Sequence, residues 1–294
     1  MSQLMPTIFE LHNWFFDEGA CLDLLHRIGA FYVEKQCETC GSTMNLSLTR
    51  QKFRCSRSTC RKQCSLRVGT FFEGSRLPCS KIMLMGYLWC NKSPSSAITA
   101  MTGHSNQTVA VFQNHFRQLV SGRVQTEDMM IGGCGIIVEI DESKLGKRKF
   151  NRGHRVEGVW VLGGVERTPE RRVFMVPVER RDAGTLLDAI NRHVRPGSII
   201  YTDMWKAYAG LADSMHFEHH AVNHSLHFSD PLTGVDTNKI EATWNALKQL
   251  IRPRNRTRAG IEEHLFEFIW RRQNHSRVWH AFLGAIVDTH YLVE

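Results

Sequence analysis

A chain of 294 residues with 42% hydrophobic and 22% charged residues reads as an ordinary globular protein of two or three domains. It contains no run of about 18 apolar residues, which excludes a membrane-spanning helix, and its opening M-S-Q-L-M-P-T-I-F-E lacks the basic and apolar regions of a secretory signal. The formal net charge of +8 favours a polyanionic partner, nucleic acid ahead of membrane because no basic amphipathic helix stands out.

Residues 7–33 are dense in large apolar side chains (Ile8, Phe9, Leu11, Trp14, Phe15, Leu22, Leu24, Leu25, Ile28, Phe31) and predict two short helices broken near Gly19. Nine cysteines are an odd number, and several stand at metal-ligand spacing. Both facts point to a reducing compartment and thiolate–metal chemistry rather than disulfides. C-E-T-C supplies Cys37 and Cys40, and C-S-R-S-T-C supplies Cys55 and Cys60, across a short β-rich segment. That is the ligand number and spacing of a zinc ribbon, and so small a module needs its metal to fold. Four unrelated buried cysteines are the plainer reading, but the residues between them are too polar and basic for a core. Cys64 is a spare that either stays apart or replaces Cys60. Arg50, Lys52, Arg54, Arg57, Arg61, Lys62 and Arg67 either attract phosphate or form a solvated basic face.

A helix is predicted from Ser80 to about Cys90. The stretch after it reads as helix, glycine turn, helix: Ser93 caps the first with Pro94 at N1, Gly103 ends it, and Ser105 caps the second. This is helix-turn-helix punctuation, although an ordinary helical hairpin carries the same signals. The second helix offers Asn106, Gln107, Gln113, Asn114 and Arg117, residue types that read base edges. Residues 121–135, polar and then glycine-rich, look like a linker. The expected division is N-terminal helices and zinc ribbon over 1–78, helix-turn-helix over 79–125, and a catalytic domain over 135–294.

Ile136–Ile140 is an apolar, β-branched run that reads as a buried strand with Asp141 at its end. The strands V-E-G-V-W-V-L-G-G-V and R-R-V-F-M-V-P-V follow, then a helix capped by Asp182 and the strand S-I-I-Y-T-D with Asp203 at its end. A helix around Trp205–Leu211, a short strand near H-H-A-V-N-H, an amphipathic helix carrying Glu241, and a C-terminal helical region complete the chain. Three meandering strands followed by alternating helices and strands give an α/β fold with a mixed sheet flanked by helices, in the element order of the RNase H-like fold. Two strand-end aspartates and a helix glutamate suit two-metal phosphodiester chemistry with Mg²⁺, which takes oxygen ligands. Taken singly, each acid has a plainer reading: a turn cap for Asp141, a helix N-cap for Asp203, a first-turn glutamate for Glu241. The case rests on all three.

Ile240, Trp244, Leu247 and Ile251 make the buried stripe of the Glu241 helix. Lys248 lies seven residues after Glu241 on a neighbouring face, either to hold a substrate phosphate or as a surface lysine. I-R-P-R-N-R-T-R, with Arg252, Arg254, Arg256 and Arg258, reads as a phosphate track. Asn238 belongs with the DNA-contacting candidates, as do Lys147, Arg148 and Lys149, unless those three form a solvated turn. His216, His219, His220, His224 and His227 either bind a metal or, since they lack cysteines and regular ligand spacing, stand as strand and loop histidines near DNA, the expected reading, with His224 in contact with it.

With these residues identified, the chain resembles the transposases of the Merlin superfamily and their bacterial insertion-sequence relatives, the ISXO2-like transposases. The resemblance runs from Cys37 to about Arg258. It lies in C-R-K-Q-C-S-L-R-V-G-T-F-F, V-E-I-D-E-S-K, I-Y-T-D, V-N-H-S and, most specifically, N-K-I-E-A-T-W-N-A-L-K. It implies an RNase H-like fold with a DDE triad of Asp141, Asp203 and Glu241 holding Mg²⁺ or Mn²⁺, Lys248 as the following lysine, and zinc in the ribbon. Cys64 departs from a usual bulky apolar residue, and Asp236 from a frequent His. The implied activity is cleavage at the terminal inverted repeats and strand transfer of the resulting 3′ hydroxyl into target DNA, by a homodimer or larger synaptic complex. A domesticated, non-catalytic DNA-binding protein and a plain metal-dependent nuclease are the alternatives. The eukaryotic side of the resemblance implies the nucleus; a bacterial host implies the cytoplasm.

Overall fold

The computed structural model describes residues 5–125, 127–146, 158–222 and 235–289. The chain divides into two compact units, one from residues 1–120 and 274–294 and the other from 121–273.

The first unit starts with α1 (His12–Phe16) and α2 (Glu18–Arg27). The break between them falls at Asp17, not Gly19, because the Asp17 carboxylate caps α2 by accepting from the Ala20 amide at 2.9 Å. A four-stranded antiparallel ribbon follows: β1 (Lys35–Gln36), β2 (Thr43–Ser47), β3 (Lys52–Cys55) and β4 (Gln63–Ser65), paired in sequence order. Next come α3 (Cys79–Cys90), α4 (Ser95–Thr102) and α5 (Asn106–Ser121). Helix α3 is buried along nearly its whole length. Its first amides, of Cys79 and Ser80, donate to the Glu18 carboxylate at 2.9 and 2.8 Å. The C-terminal helix Val278–Val287, expected with the catalytic region, clusters in this first unit. There Trp279 and Phe282 join Phe15, Tyr87, Trp89 and Phe116 in an aromatic core.

The second unit is built on a five-stranded mixed sheet. In chain order it contains β5 (Ile131–Gly132), β6 (Ile137–Leu145), β7 (Val159–Glu166), β8 (Val173–Val178), α6 (Ala183–His193), β9 (Val194–Arg195), β10 (Ile199–Asp203), β11 (Glu218–Val222), α7 (Asn238–Leu250) and α8 (Ile261–Gln273). The strand order is β11-β10-β6-β7-β8, with β6, β7 and β8 antiparallel and β10 and β11 parallel to β6. Two consecutive glycines of β7 let one helix close on each face. A Cβ on Gly163 would meet the Trp244 ring of α7 at 2.8 Å. A Cβ on Gly164 would meet the Phe174 ring at 2.3 Å, and that ring stacks on His193 of α6. Helix α8 packs on β8 at the sheet edge.

Several expected boundaries move. Residues 131–135 are not a free linker: β5 pairs with β9, Ile131 is buried, and the Gly132 amide donates to the buried Glu166 carboxylate at 2.6 Å. Pro94, not Ser93, occupies the N-cap of α4, and the helix starts at Ser95. The Trp205–Leu211 segment is a 3-10 helix over Lys206–Leu211.

Candidate active site and cysteine cluster

Strand β6 does not end before Asp141. It continues to Leu145 against β7, with Asp141 opposite Gly163, while its ladder with β10 stops at the pair Tyr201–Glu139. Asp141 therefore sits where β6 has lost one neighbour. Two residues beyond Tyr201, Asp203 ends β10; side chains alternate along a strand, so both aspartates project from the same face. Burial, then the charges of Glu142 and Asp203, push the Asp141 carboxyl up to about 7. Such a buried, mutually repelling pair is a place where a divalent cation supplies the missing compensation.

Helix α7 covers that face. Ile240, Trp244 and Leu247 are its buried stripe, as expected, with Ile251 buried just past its end. The Trp244 indole N–H donates to Asp141 Oδ2 at 3.0 Å, which ties the helix to the first acid. At about 100° per residue, Glu241 and Lys248 lie within roughly 20° of each other and on the rim of the Trp244 stripe. The acids gather less tightly than metal ligands do. Among the described residues, the group of three or more His, Cys, Asp or Glu atoms packed at metal-ligand spacing is the cysteine set.

That set is Cys37, Cys40, Cys55 and Cys60, whose sulfurs all lie within 4.8 Å of one another, with Cys37–Cys60 at 3.7 Å and Cys40–Cys55 at 3.4 Å. Zinc bound tetrahedrally about 2.3 Å from each sulfur places them roughly 3.8 Å apart, so the donor set fits. Each pair sits on a tight turn: Gly41 follows Cys40 at φ 68°, and Arg61 follows Cys60 at φ 51°. The Ser42 amide and hydroxyl bring the Cys40 thiol down to about 6, and the Thr39 amide lowers Cys37, while burial pushes Cys55 up to about 12. Cys64 stays outside the set, opposite Phe53 in the β3–β4 ladder.

Residues 119–272, more than half of the chain, match the model of the ISXO2-like transposase domain. The chain belongs to this transposase family. A relative in Haemophilus influenzae, an uncharacterized transposase-like protein, is 35% identical over 104 residues, which are 35% of this chain and 82% of that protein. The matched domain contains Asp141, Asp203, Glu241 and Lys248. The relative is bacterial and lends no support to a nuclear location. No helix of the described residues is long and apolar enough to cross a membrane.

The basic residues fall into two groups, exposed and inward-turned. In the transposase domain, Arg252 and Arg254 are exposed, but Arg256 is spent on its own fold. Its guanidinium donates to the carbonyls of Ile251 at 3.0 Å and Lys248 at 2.5 Å, closing the C-terminus of α7. Arg258 pairs with Glu179. In the first unit Arg67 also turns inward, onto the carbonyls of Ser75 and Leu77, whereas Arg50, Lys52, Arg54, Arg57, Arg61 and Lys62 are exposed. Asn106 and Gln107 stand exposed at the start of α5, whose Ser105 cap and Gly103 turn (φ 70°) form as expected. Arg117 is half-buried and donates to Asn114, so it is less available than expected. Asn238 is exposed at the first position of α7. His219 bonds to Thr202 at 2.9 Å and His220 to Glu218 at 2.7 Å. Lys147, Arg148, Lys149, His224 and His227 lie outside the described residues.

Trp244 is legible in the sequence as a core residue of α7 but not as a donor to Asp141. Gly163→Ala tests that contact. The added methyl should displace the indole, cost about 1–3 kcal/mol of stability by overpacking, and weaken any activity that depends on Asp141. Thermal unfolding and a DNA-cleavage assay on the same preparation would measure both.

Proposed function

We propose that this protein is a cut-and-paste DNA transposase whose Asp141, Asp203 and Glu241 form a DDE triad on an RNase H-like sheet. The observation that carries the reading is the convergence, inside the matched transposase domain, of Asp141 and Asp203 on one sheet face beneath the helix that bears Glu241. The strand order, with three antiparallel strands followed by two parallel additions beside the first, suits the same fold.

Bound at these acids, Mg²⁺ or Mn²⁺ would supply an activated oxygen nucleophile and neutralise charge on the leaving 3′ oxygen. Trp244 holds one oxygen of Asp141 and so orients the carboxylate for that duty. Lys248, on the Glu241 side of α7, meets the scissile phosphate as a point charge. Exposed Arg252 and Arg254 extend the contact along the DNA backbone. The cysteine set holds zinc, and its exposed basic residues, with the α4–α5 helix-turn-helix, bind the terminal inverted repeats through Asn106 and Gln107. Two ends must be held together, so the working species is a dimer or larger synaptic complex. In a bacterial host it acts in the cytoplasm.

The test is cleavage and joining of labelled DNA carrying the element's ends, with Mg²⁺ or Mn²⁺, comparing wild type with Asp203→Ala. The expected result is cleavage and joining by the wild type and neither by the variant. End binding without cleavage by the wild type would instead identify a domesticated DNA-binding protein, and cleavage without joining a nuclease.

A further inference from the structure

We propose that Glu139 and Glu142 are positioning residues, and that strand β6, besides carrying Asp141, fixes the elements that bear Glu241 and Asp203. The inference rests on the reading of those three acids as the catalytic set.

Glu139 is fully buried. Its Oε1 accepts from Arg167 Nε at 2.6 Å, and its Oε2 accepts from the amides of Lys239 at 2.7 Å and Ile240 at 3.0 Å. These are the second and third amides of α7, so a strand carboxylate from the sheet caps the helix. The Arg167 guanidinium reaches on to Asp236, at 2.6 Å to Oδ1 and 2.9 Å to the main-chain oxygen, and Asp236 Oδ1 accepts from the Asn238 amide at 3.0 Å. Residues 236–240 are thereby tied to β6, and Glu241 is the next residue. Asp236, a departure from the family pattern by sequence, is an integral part of this network. Arg167 also lies 5.0 Å over the Tyr201 ring, two residues before Asp203.

Glu142 makes the corresponding connection on the other side of Asp141. It accepts from the Tyr208 hydroxyl at 2.5 Å and from Arg181 at 3.1 Å. Tyr208 lies in the 3-10 helix that follows Asp203, and the amide of Trp205 donates to Asp203 Oδ1 at 3.0 Å. The Arg181 guanidinium stacks on Trp160 at 3.7 Å and on Trp205 at 4.6 Å. The segment that begins at Asp203 is thus held from β6 and from β7.

Apolar side chains would bury these positions at lower desolvation cost. Directed hydrogen bonds to helix amides and to a tyrosine set where an element starts, which non-directional packing does not. Catalytic groups must be held within about 0.5 Å, and loss of outer-shell partners typically lowers metal affinity or activity about 10- to 100-fold.

The experiment uses the full, zinc-loaded chain with Glu139→Gln and Glu142→Gln, which keep shape and an amide acceptor but lose the charge. Free Mn²⁺ is followed by electron paramagnetic resonance during titration, alongside end binding, end cleavage and thermal unfolding. Glu267→Gln is the control, because Glu267 forms a comparable buried pair with Arg271 on α8, against the far edge strand β8. The expected result is Mn²⁺ affinity lowered about 10- to 100-fold in both test variants, unchanged end binding, and cleavage partly restored by excess Mn²⁺. The control should lose stability and keep its Mn²⁺ affinity. Wild-type Mn²⁺ affinity in the test variants, or a loss that the control shares, would overturn the inference alone. Wild-type Mn²⁺ binding by Asp203→Ala would remove the triad reading and the inference together. If Glu139→Gln fails to fold, Asp236→Asn and Tyr208→Phe weaken the same two networks more gently, with a few-fold loss of Mn²⁺ affinity expected and none overturning the inference.

Discussion

Replacing Asp141 with Asn should abolish DNA cleavage and, in metal-free buffer at pH 8, make the protein more stable. An aspartate in the unfolded chain titrates at its ordinary 3.8, whereas burial and neighbouring negative charge push the folded Asp141 up to about 7. Between those values the unfolded chain releases a proton that the folded chain retains. Asp141 therefore destabilises the fold progressively as pH rises from about 4 to 7, and its full cost is felt above 7. The difference between 3.8 and about 7 corresponds to about 4 kcal/mol. Allowing for the part of the side chain that still meets water, about 2 kcal/mol is the expected gain for Asp141→Asn at pH 8, falling to nothing near pH 3. Denaturant unfolding of both proteins at several pH values measures this directly. Equal stability at pH 8 would mean that the folded carboxylate bears no such strain. Added Mg²⁺ or Mn²⁺ should narrow the gap, because a bound cation stabilises only the protein that keeps its acid.

Removal of the zinc proposed for the cysteine set should also have a large effect. The ribbon's strands have two to five residues each, and Met44 and Phe53 are the buried apolar residues on them apart from cysteine. So little buried area does not offset the conformational entropy of ordering the segment. Structural zinc contributes apparent binding energies of about 10–16 kcal/mol in comparable small modules. Chelation, or Cys40→Ser, should unfold residues 35–65, seen as rapid amide hydrogen exchange there, and abolish high-affinity end binding. Exchange in the strands of the 121–273 unit should stay slow. Metal analysis should find one zinc per chain in the wild type and in Cys64→Ser, but none after Cys40→Ser. Loss of zinc in Cys64→Ser would instead implicate the fifth cysteine.

How far the sequence could be read differs from element to element. The Asp182 cap, the Ser105 cap and the Gly103 turn form as expected, because each depends on neighbours within a few residues. Strand β6 outran its expected end because β7 continues to pair with it after β10 has stopped. The glycines at 132 and 133 look like a linker by composition, yet a Cβ on Gly132 would meet Ser198 Oγ at 2.2 Å, so the residue is there for close packing. Arg256 belongs by pattern to a row of phosphate-binding arginines, and only the position of the α7 carbonyls shows that it serves the helix.

Short-range chemistry was legible along the chain: four cysteines on two tight turns, β-branched runs ending near acids, and an amphipathic helix with a single buried stripe. Which of those parts meet depends on contacts between residues far apart in the chain. The register of β10 on β6 brings Asp203 beside Asp141, and Trp244 reaches Asp141 from 103 residues further along the chain. Glu139 caps a helix 100 residues away, a role that no local pattern announces. Periodicity and spacing report a residue's neighbours along the chain, whereas a carboxylate acquires its function from the donors and charges that folding gathers around it.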